Sequence, residues 1–293
     1  MIKYKNIIKT LTVVASVATI FTSTLTAQAQ VMSPELLPGF DATYYAENNP
    51  DLVAAIGDDS DTLLNHYIQY GKWEGRASSA AAAEATNTKT ADYNVLFIGN
   101  SITMHPACQY WWGFWGMAAS SPDKDYVHQV VAGLQQNYAT VDYDIFSFST
   151  WERDGVRSKV LPTMDTTLCN DYDLVVIQVG ENVESLKNFE SDYETLVQYV
   201  KNSVPGAQVV LVGDFWYRSG RDNIKKSVAD RQQCTFIDLS ANRLKSSYHS
   251  SIGAKVLGDD GSIHRINDYA VALHPNDKAM AEIAQGILAA VAN

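Results

Sequence analysis

The chain has 293 residues, 46% of them hydrophobic and 19% charged, with 33 acidic residues against 22 basic ones and a formal charge of −11. That balance argues against nucleic acid or an anionic membrane surface as a partner, since both attract cationic faces. Three cysteines (Cys108, Cys169 and Cys234) cannot all pair, and a chain of this length does not need disulfide staples. Partly buried free thiols are the expectation, with a Cys108–Cys169 bridge left open.

Residues 1–29 read as a cleaved secretory leader. Lys3, Lys5 and Lys9 form a basic start, an apolar stretch runs from Leu11 to Leu25, and Ala27-Gln28-Ala29 fits a small-x-small cleavage site. The stretch is broken by Ser and Thr and is shorter than the ~20 apolar residues a span needs. No cysteine lies near the cut, as a lipoprotein would require. Its removal takes the formal charge from −11 to −14, because the leader carries those three lysines and no acid. No later segment is apolar enough to span a bilayer.

Residues 34–76 form a small unit with Phe40-Asp41-Ala42-Thr43-Tyr44-Tyr45, Asn49-Pro50-Asp51-Leu52, Asn65-His66-Tyr67 and a closing run Tyr70-Gly71-Lys72-Trp73-Glu74-Gly75-Arg76. On these residues it resembles a short helical module that recurs in secreted and surface proteins of bacteria. Such a unit is at the lower limit for independent folding. His66 has no partner at ligand spacing and reads as a packed or surface side chain. Residues 77–92 are small and polar without an aromatic residue and read as a linker with an alanine run.

From Tyr93 apolar strands alternate with amphipathic helices. Strands are expected at 95–98, 143–148, 174–179, 209–212 and 235–239. Ser121-Pro122 reads as a helix start, with Tyr126, Val130, Leu134 and Tyr138 at helical spacing behind it. Phe189, Tyr193, Leu196, Val197, Val200 and Val204 make one helical face that Pro205-Gly206 ends, and Met280, Ile283, Ile287, Leu288 and Val291 define a closing helix. This alternation argues for an α/β domain over 93–293 with a parallel sheet covered on both faces.

Three pieces at element boundaries carry chemistry. Gly99-Asn100-Ser101 leaves the first strand, Gly180-Glu181-Asn182 leaves the third, and His274-Pro275-Asn276-Asp277 precedes the last helix. Open α/β sheets bind ligands beyond the carboxyl ends of their strands. Acyl transfer needs a nucleophile, a base in hydrogen-bond reach and donors for the oxyanion. Ser101 would attack, His274 would take and return the proton, and the Asn182 amide with backbone N–H groups would hold the oxyanion. Singly each piece is an ordinary cap, loop or turn. Their order along the chain is what adds weight.

On these three blocks the chain resembles the SGNH (GDSL-like) hydrolase superfamily over residues 93–293. Asn100 stands where that family commonly has Asp. The resemblance implies a flavodoxin-like three-layer α/β/α sandwich, serine-dependent hydrolysis of esters, often acetyl groups on carbohydrate, and no metal or organic cofactor. It also implies Ser101 and His274 as catalytic residues and Ser101, Asn182 and Gly155 as oxyanion donors. The family's Asp three residues before the histidine is here Val271. Asp268 and Asp277 lack that offset, leaving a backbone carbonyl, Glu152 or Glu181 as candidates to orient His274.

Trp111-Trp112-Gly113-Phe114-Trp115 follows the nucleophile loop and reads either as an aromatic wall of the cleft or as a plug holding the loop to the core. Trp111, Trp112, Trp115 and, after the fourth strand, Trp216 are the candidate substrate-lining residues. His105, four residues after Ser101, is a further lining candidate. No HExxH, paired Cys-x-x-Cys or Gly-rich phosphate loop is present. The expectation is a secreted serine esterase acting on a carbohydrate or cell-surface glycan, with residues 34–76 as a possible surface attachment. A fold that has lost catalysis and serves as a scaffold, and a lipase or thioesterase of the same fold, are the alternatives.

Overall fold

The computed structural model describes residues 40–71, 76–86 and 91–292. The leader expected over 1–29 lies outside the described residues, as do residues 34–39 and 72–75 of the N-terminal unit and 87–90 of the expected linker.

The N-terminal part holds three short helices, α1 (Ala42–Asn48), α2 (Pro50–Ile56) and α3 (Ser60–His66), followed by a π-type turn at Tyr67–Gly71. Asp41 and Asp59 cap α1 and α3 by accepting from Tyr44 N and Thr62 N. Their apolar faces meet in a separate small core of Tyr45, Leu52 and Leu63, with Phe40 and Tyr67 packed on it. His66 belongs to this packing, its Nδ1 being 3.0 Å from Tyr45 Oη. Within the stretch read as a linker, the alanine run forms helix α4 (Ala80–Thr86), as the high helix propensity of alanine favours.

The larger part is built on five parallel strands: β1 (Tyr93–Gly99), β2 (Val141–Ser147), β3 (Leu174–Gln178), β4 (Gln208–Val212) and β5 (Thr235–Ile237). Their order is β2-β1-β3-β4-β5, with every pair parallel. That is the doubly wound, flavodoxin-like order, whose switch point falls at β1 and β3. Successive strand residues face opposite layers. Val95, Phe97, Val176, Val210 and Val212 face one core with helices α5 (Tyr126–Leu134) and α11 (Asp277–Val291). Leu96, Ile98, Val175, Ile177, Val209 and Leu211 face the other with α6 (Ser149–Arg153), α7 (Asp165–Leu168), α8 (Phe189–Ser203) and α9 (Arg221–Gln232). A three-layer α/β/α sandwich results.

Several boundaries differ from the sequence expectation. Ser121-Pro122 opens only a 3-10 turn at Pro122–Lys124, and α5 starts at Tyr126 because the Asp125 carboxylate accepts from His128 N. A two-stranded hairpin, β6 (Lys255–Leu257) with β7 (Ile263–Arg265), and the four-residue helix α10 (Tyr269–Ala272) stand before the closing helix. The three cysteines are free. Among the described residues no helix is long and apolar enough to cross a membrane.

Candidate active site

β1 delivers Ser101 to the carboxyl edge of the sheet at the switch point. Gly99 permits the turn: a Cβ there would lie 1.7 Å from Thr103 Oγ1. The Asn100 carbonyl accepts from Thr103 N and Met104 N, and its side-chain oxygen accepts from Ile102 N at 3.0 Å. Met117 N donates to Ser101 O at 2.8 Å. Among the described residues, the Ser101 N–H has no acceptor and is available to a ligand.

His274, the expected base, arrives from the other end of the domain. Asp268 caps α10 by accepting from Ala270 N and Val271 N. The chain turns after α10 so that His274 Nε2 lies 2.9 Å from Ser101 Oγ and His274 Nδ1 lies 2.8 Å from the Ala270 carbonyl oxygen. A carbonyl only accepts, so Nδ1 carries the proton and Nε2 presents its lone pair to the serine hydroxyl. His274 is 6% exposed. Burial, the dominant influence, pulls its pKa down to about 4, against the raising effect of the Ala270 hydrogen bond.

The orienting group is therefore a backbone carbonyl. The Val271 side chain is fully buried in the core. Asp277 accepts from the backbone and hydroxyl of Ser120 at 2.8 and 2.6 Å. Neither Glu152 nor Glu181 contacts His274; both lie on the opposite flank of Ser101, next to Asn100.

That flank holds the second block, Gly180-Glu181-Asn182. Gly180 has φ +138°, and a Cβ there would lie 2.8 Å from Lys225 Cε and 2.9 Å from Asp214 Oδ1, which only glycine tolerates. The Glu152 carboxylate, 1% exposed, gathers four N–H donors. Oε1 accepts from Gly180 N (2.5 Å), Asn100 Nδ2 (3.1 Å) and Asn182 N (3.3 Å), and Oε2 from Asn182 Nδ2 (2.5 Å). Arg153 Nη2 donates to Asn182 Oδ1 at 3.1 Å. Glu181 accepts from Asn100 Nδ2 (2.8 Å), Gln178 Nε2 (2.7 Å) and Phe215 N (3.1 Å). Burial first, and then the charge of Asp214, push its carboxyl up to about 7. Behind it, Asp214 pairs with Lys225 at 2.6 Å and with Arg221, all three buried.

The structure thus brings Ser101 and His274 together and sets Asn182 in a network that reaches Ser101 through its neighbour Asn100. Gly155 is not part of it. It lies two residues beyond α6, exposed, and no hydrogen bond links it to Ser101, His274 or the Glu152 network. Of the tryptophans, Trp111 and Trp115 are 0% and 2% exposed and belong to the core, so the plug reading applies to them and not the cleft wall. Trp112 is half-buried and stacked on His264 of β7 at 4.7 Å. Trp216 stands edge-on to the His274 ring at 4.7 Å, with Nε1 donating to Leu273 O at 3.0 Å. His105, bonded to Pro106 O at 2.7 Å, acts electrostatically on His274. The residues that sequence reasoning missed are Ala270, Arg153 and the buried Asp214–Lys225–Arg221 group. The Asn100 amide beside Ser101, whose N–H groups need acceptors, was the available signal for nearby carboxylates.

Among the described residues no group of three His, Cys, Asp or Glu side chains is placed to hold a metal ion. A cavity of about 550 Å³ between the N-terminal helices and the larger part is lined by Asn49, Asp51, Arg76, Phe146 and Thr150, among others; neither Ser101 nor His274 lines it.

Fold and site together define a doubly wound α/β protein with a serine–histidine pair at the carboxyl edge of its sheet. No family model matches the chain, and no curated protein matches it. Among solved structures it is similar to a two-domain esterase active on acetylated mannans, at 21% identity over 68% of this chain and 48% of that one, with a TM-score of 0.46. It spans about half the length of that protein. It is also similar to a salicylyl acyltransferase from a tetracycline biosynthetic pathway, at 14% identity, covering 70% of this chain and 56% of that one, TM-score 0.43. A third similar structure is a family two carbohydrate esterase from Clostridium thermocellum, at 17% identity, 69% and 64% coverage, TM-score 0.39.

Proposed function

We propose that this protein is a serine esterase that hydrolyses acyl esters, chiefly acetyl groups on carbohydrate, after secretion and removal of residues 1–29. One observation carries the reading: Ser101 Oγ lies 2.9 Å from the unprotonated Nε2 of an imidazole whose other nitrogen is held by Ala270 O. In this arrangement the hydroxyl proton moves to Nε2 as Oγ attacks the acyl carbon. The imidazolium then gives that proton to the leaving sugar oxygen. Water, deprotonated by the same nitrogen, attacks the acyl-serine and releases the acid. The free Ser101 N–H and the second N–H of Asn182 Nδ2 serve the oxyanion. The partly exposed Trp216 beside the base supports a sugar ring as the alcohol, since aromatic faces pack on apolar sugar faces. The net charge of −14 after leader removal speaks against nucleic acid. We assign residues 34–76 to surface association and 93–293 to catalysis.

The test is acetate release from acetylated polysaccharides by wild type and Ser101→Ala. Activity should fall on the order of 10⁴-fold or more, with the thermal midpoint unchanged and covalent labelling by a fluorophosphonate lost. A Ser101→Ala protein as active as wild type overturns the assignment. Preference for long acyl chains in a chain-length series would move the substrate to lipid.

A further inference from the structure

Glu152 and Arg153 are consecutive on α6 and grip opposite ends of one amide. We propose that they are a positioning pair that sets the Asn182 amide with its N–H toward the oxyanion. This rests on the acyl-transfer reading above and deepens it. A primary amide looks nearly the same after a half-turn about its last bond, yet the two orientations do opposite things. One offers an N–H to a developing oxyanion; the other offers a carbonyl oxygen that repels it. Glu152 Oε2 only accepts and takes Nδ2 at 2.5 Å, while Arg153 Nη2 only donates and gives to Oδ1 at 3.1 Å. Each contact excludes the flipped amide, and both leave the second N–H of Nδ2 uncommitted.

The two residues differ in what else they do. Glu152 is buried and also receives Gly180 N and Asn100 Nδ2, so its negative charge is spread over four donors rather than aimed at the oxyanion. Arg153 is exposed and contributes nothing to the core. Its charge sits on the oxygen end of the amide, where it polarises the N–H bonds toward a stronger donor. Asn100 is the necessary third party, because a carboxylate at that position would face Glu152 and Glu181 acceptor to acceptor. α6 owes its place to Trp151, fully buried against Phe148, Phe189 and Tyr193. One face of this short helix therefore anchors it while the next two residues hold the amide.

The experiment is a double-mutant cycle read by steady-state hydrolysis of an acetyl ester, with NMR of [15N]Asn-labelled full-length protein beside it. Asn182→Ala should lower kcat about 100- to 1,000-fold, as loss of an oxyanion donor does. Arg153→Ala should lower kcat about tenfold, with KM changed less than twofold, and Arg153→Lys should recover part of the loss. In the Asn182→Ala background, Arg153→Ala should cost less than twofold and Glu152→Gln less than it costs in wild type, because residues that act through a shared partner are not additive. Equal losses in both backgrounds, or an Arg153→Ala protein with wild-type kcat, overturn the proposal. In the spectra, the Asn182 NH₂ pair, recognised by its absence in Asn182→Ala, should be split more widely than a free Asn amide, its Glu152-bonded proton shifted downfield, and the split should narrow toward the free-amide value in Glu152→Gln. A pair at free-amide shifts in wild type overturns the proposal even if the protein proves inactive on every ester, in which case the esterase reading falls on its own evidence. Arg153→Ala, altering a surface residue, keeps the test valid if Glu152→Gln does not fold.

Discussion

The two flanks of Ser101 are built from opposite materials. On the His274 side no charged group is hydrogen-bonded to the buried imidazole: its partner is one backbone carbonyl, Trp216 stands edge-on to it, and Asp268 and His105 act on it only electrostatically. On the Asn182 side charges crowd behind the site: Glu152, Arg153, Glu181, Asp214, Arg221 and Lys225. Under the proposed function the two flanks have different things to supply. A general base must be unprotonated at the start, and burial disfavours its charged form. An amide donor must hold one orientation, and fixed opposite charges enforce that better than packing does. Buried charge is tolerated only with its full set of partners, so the two flanks should respond very differently to single substitutions.

The largest effect is expected where a partner is removed from the charged flank. Lys225 is completely buried, pairs with Asp214 at 2.6 Å and donates to Val212 O at 3.1 Å. Lys225→Met keeps the bulk and removes the charge, leaving Asp214 to Arg221 alone. The loss should be about 3–5 kcal/mol in urea unfolding, the cost of breaking a buried pair from one side. A loss below 1 kcal/mol would mean that this flank is hydrated and that the contrast drawn above is false.

Next comes Asn100→Asp, which restores the residue commonly found in the family that the chain resembles. Here it removes two N–H donations, to Glu152 and Glu181, and adds a third carboxylate between them. Hydrogen bonds to charged groups contribute about 1.5–3 kcal/mol each, so a deficit of about 3 kcal/mol at neutral pH is expected. Burial and like charge would raise the new carboxyl above its unfolded value of about 3.9. A raised carboxyl favours the native state in acid and loses that contribution as pH rises. The deficit relative to wild type should therefore be larger at pH 8 than at pH 5 when both are unfolded in urea. A deficit independent of pH would show that only the lost hydrogen bonds matter.

The same contrast explains what could be read from the chain. The sheet was legible because parallel strands are apolar on both faces, and Val95–Ile98, Leu174–Ile177 and Val209–Val212 are unbroken runs. α8 and α11 were legible because each buries one apolar stripe at helical spacing. α9 was not, since its inward face carries Arg221 and Lys225 as well as Val228 and Ala229, and buried cations leave no hydrophobic period. β6 and β7, at three residues each, are too short to alternate. Ser101 and His274 could be singled out because each follows a strand or helix end, and the fold sets them 2.9 Å apart. The Ala270 carbonyl could not, because a backbone acceptor is the same in every residue and only the geometry after α10 selects it. Arg153 was invisible for the complementary reason: its role depends on which end of a distant amide it meets.

The smallest expected effect separates the flanks most cleanly. As the proposed base His274 would act only when neutral, and burial holds its pKa down to about 4. The acid limb of kcat/KM for an acetyl ester, which reports the free enzyme, should then lie near pH 4 rather than near the ordinary histidine value of about 6.5. At pH 5.5 the difference is about tenfold in the neutral fraction of the imidazole. A limb near 7 would instead place control on the charged flank, at Glu181, whose carboxyl burial and Asp214 push up to about 7. Protonating it would cost an acceptor to Asn100, Gln178 or Phe215 N–H, so activity would again fall with falling pH, but about three units too early. Trp216→Ala decides between them. It removes the ring packed edge-on against the imidazole and lets water reach His274, so a limb set by the base should climb from about 4 toward 6.5. A limb set by Glu181, which Trp216 does not touch, should stay where it was.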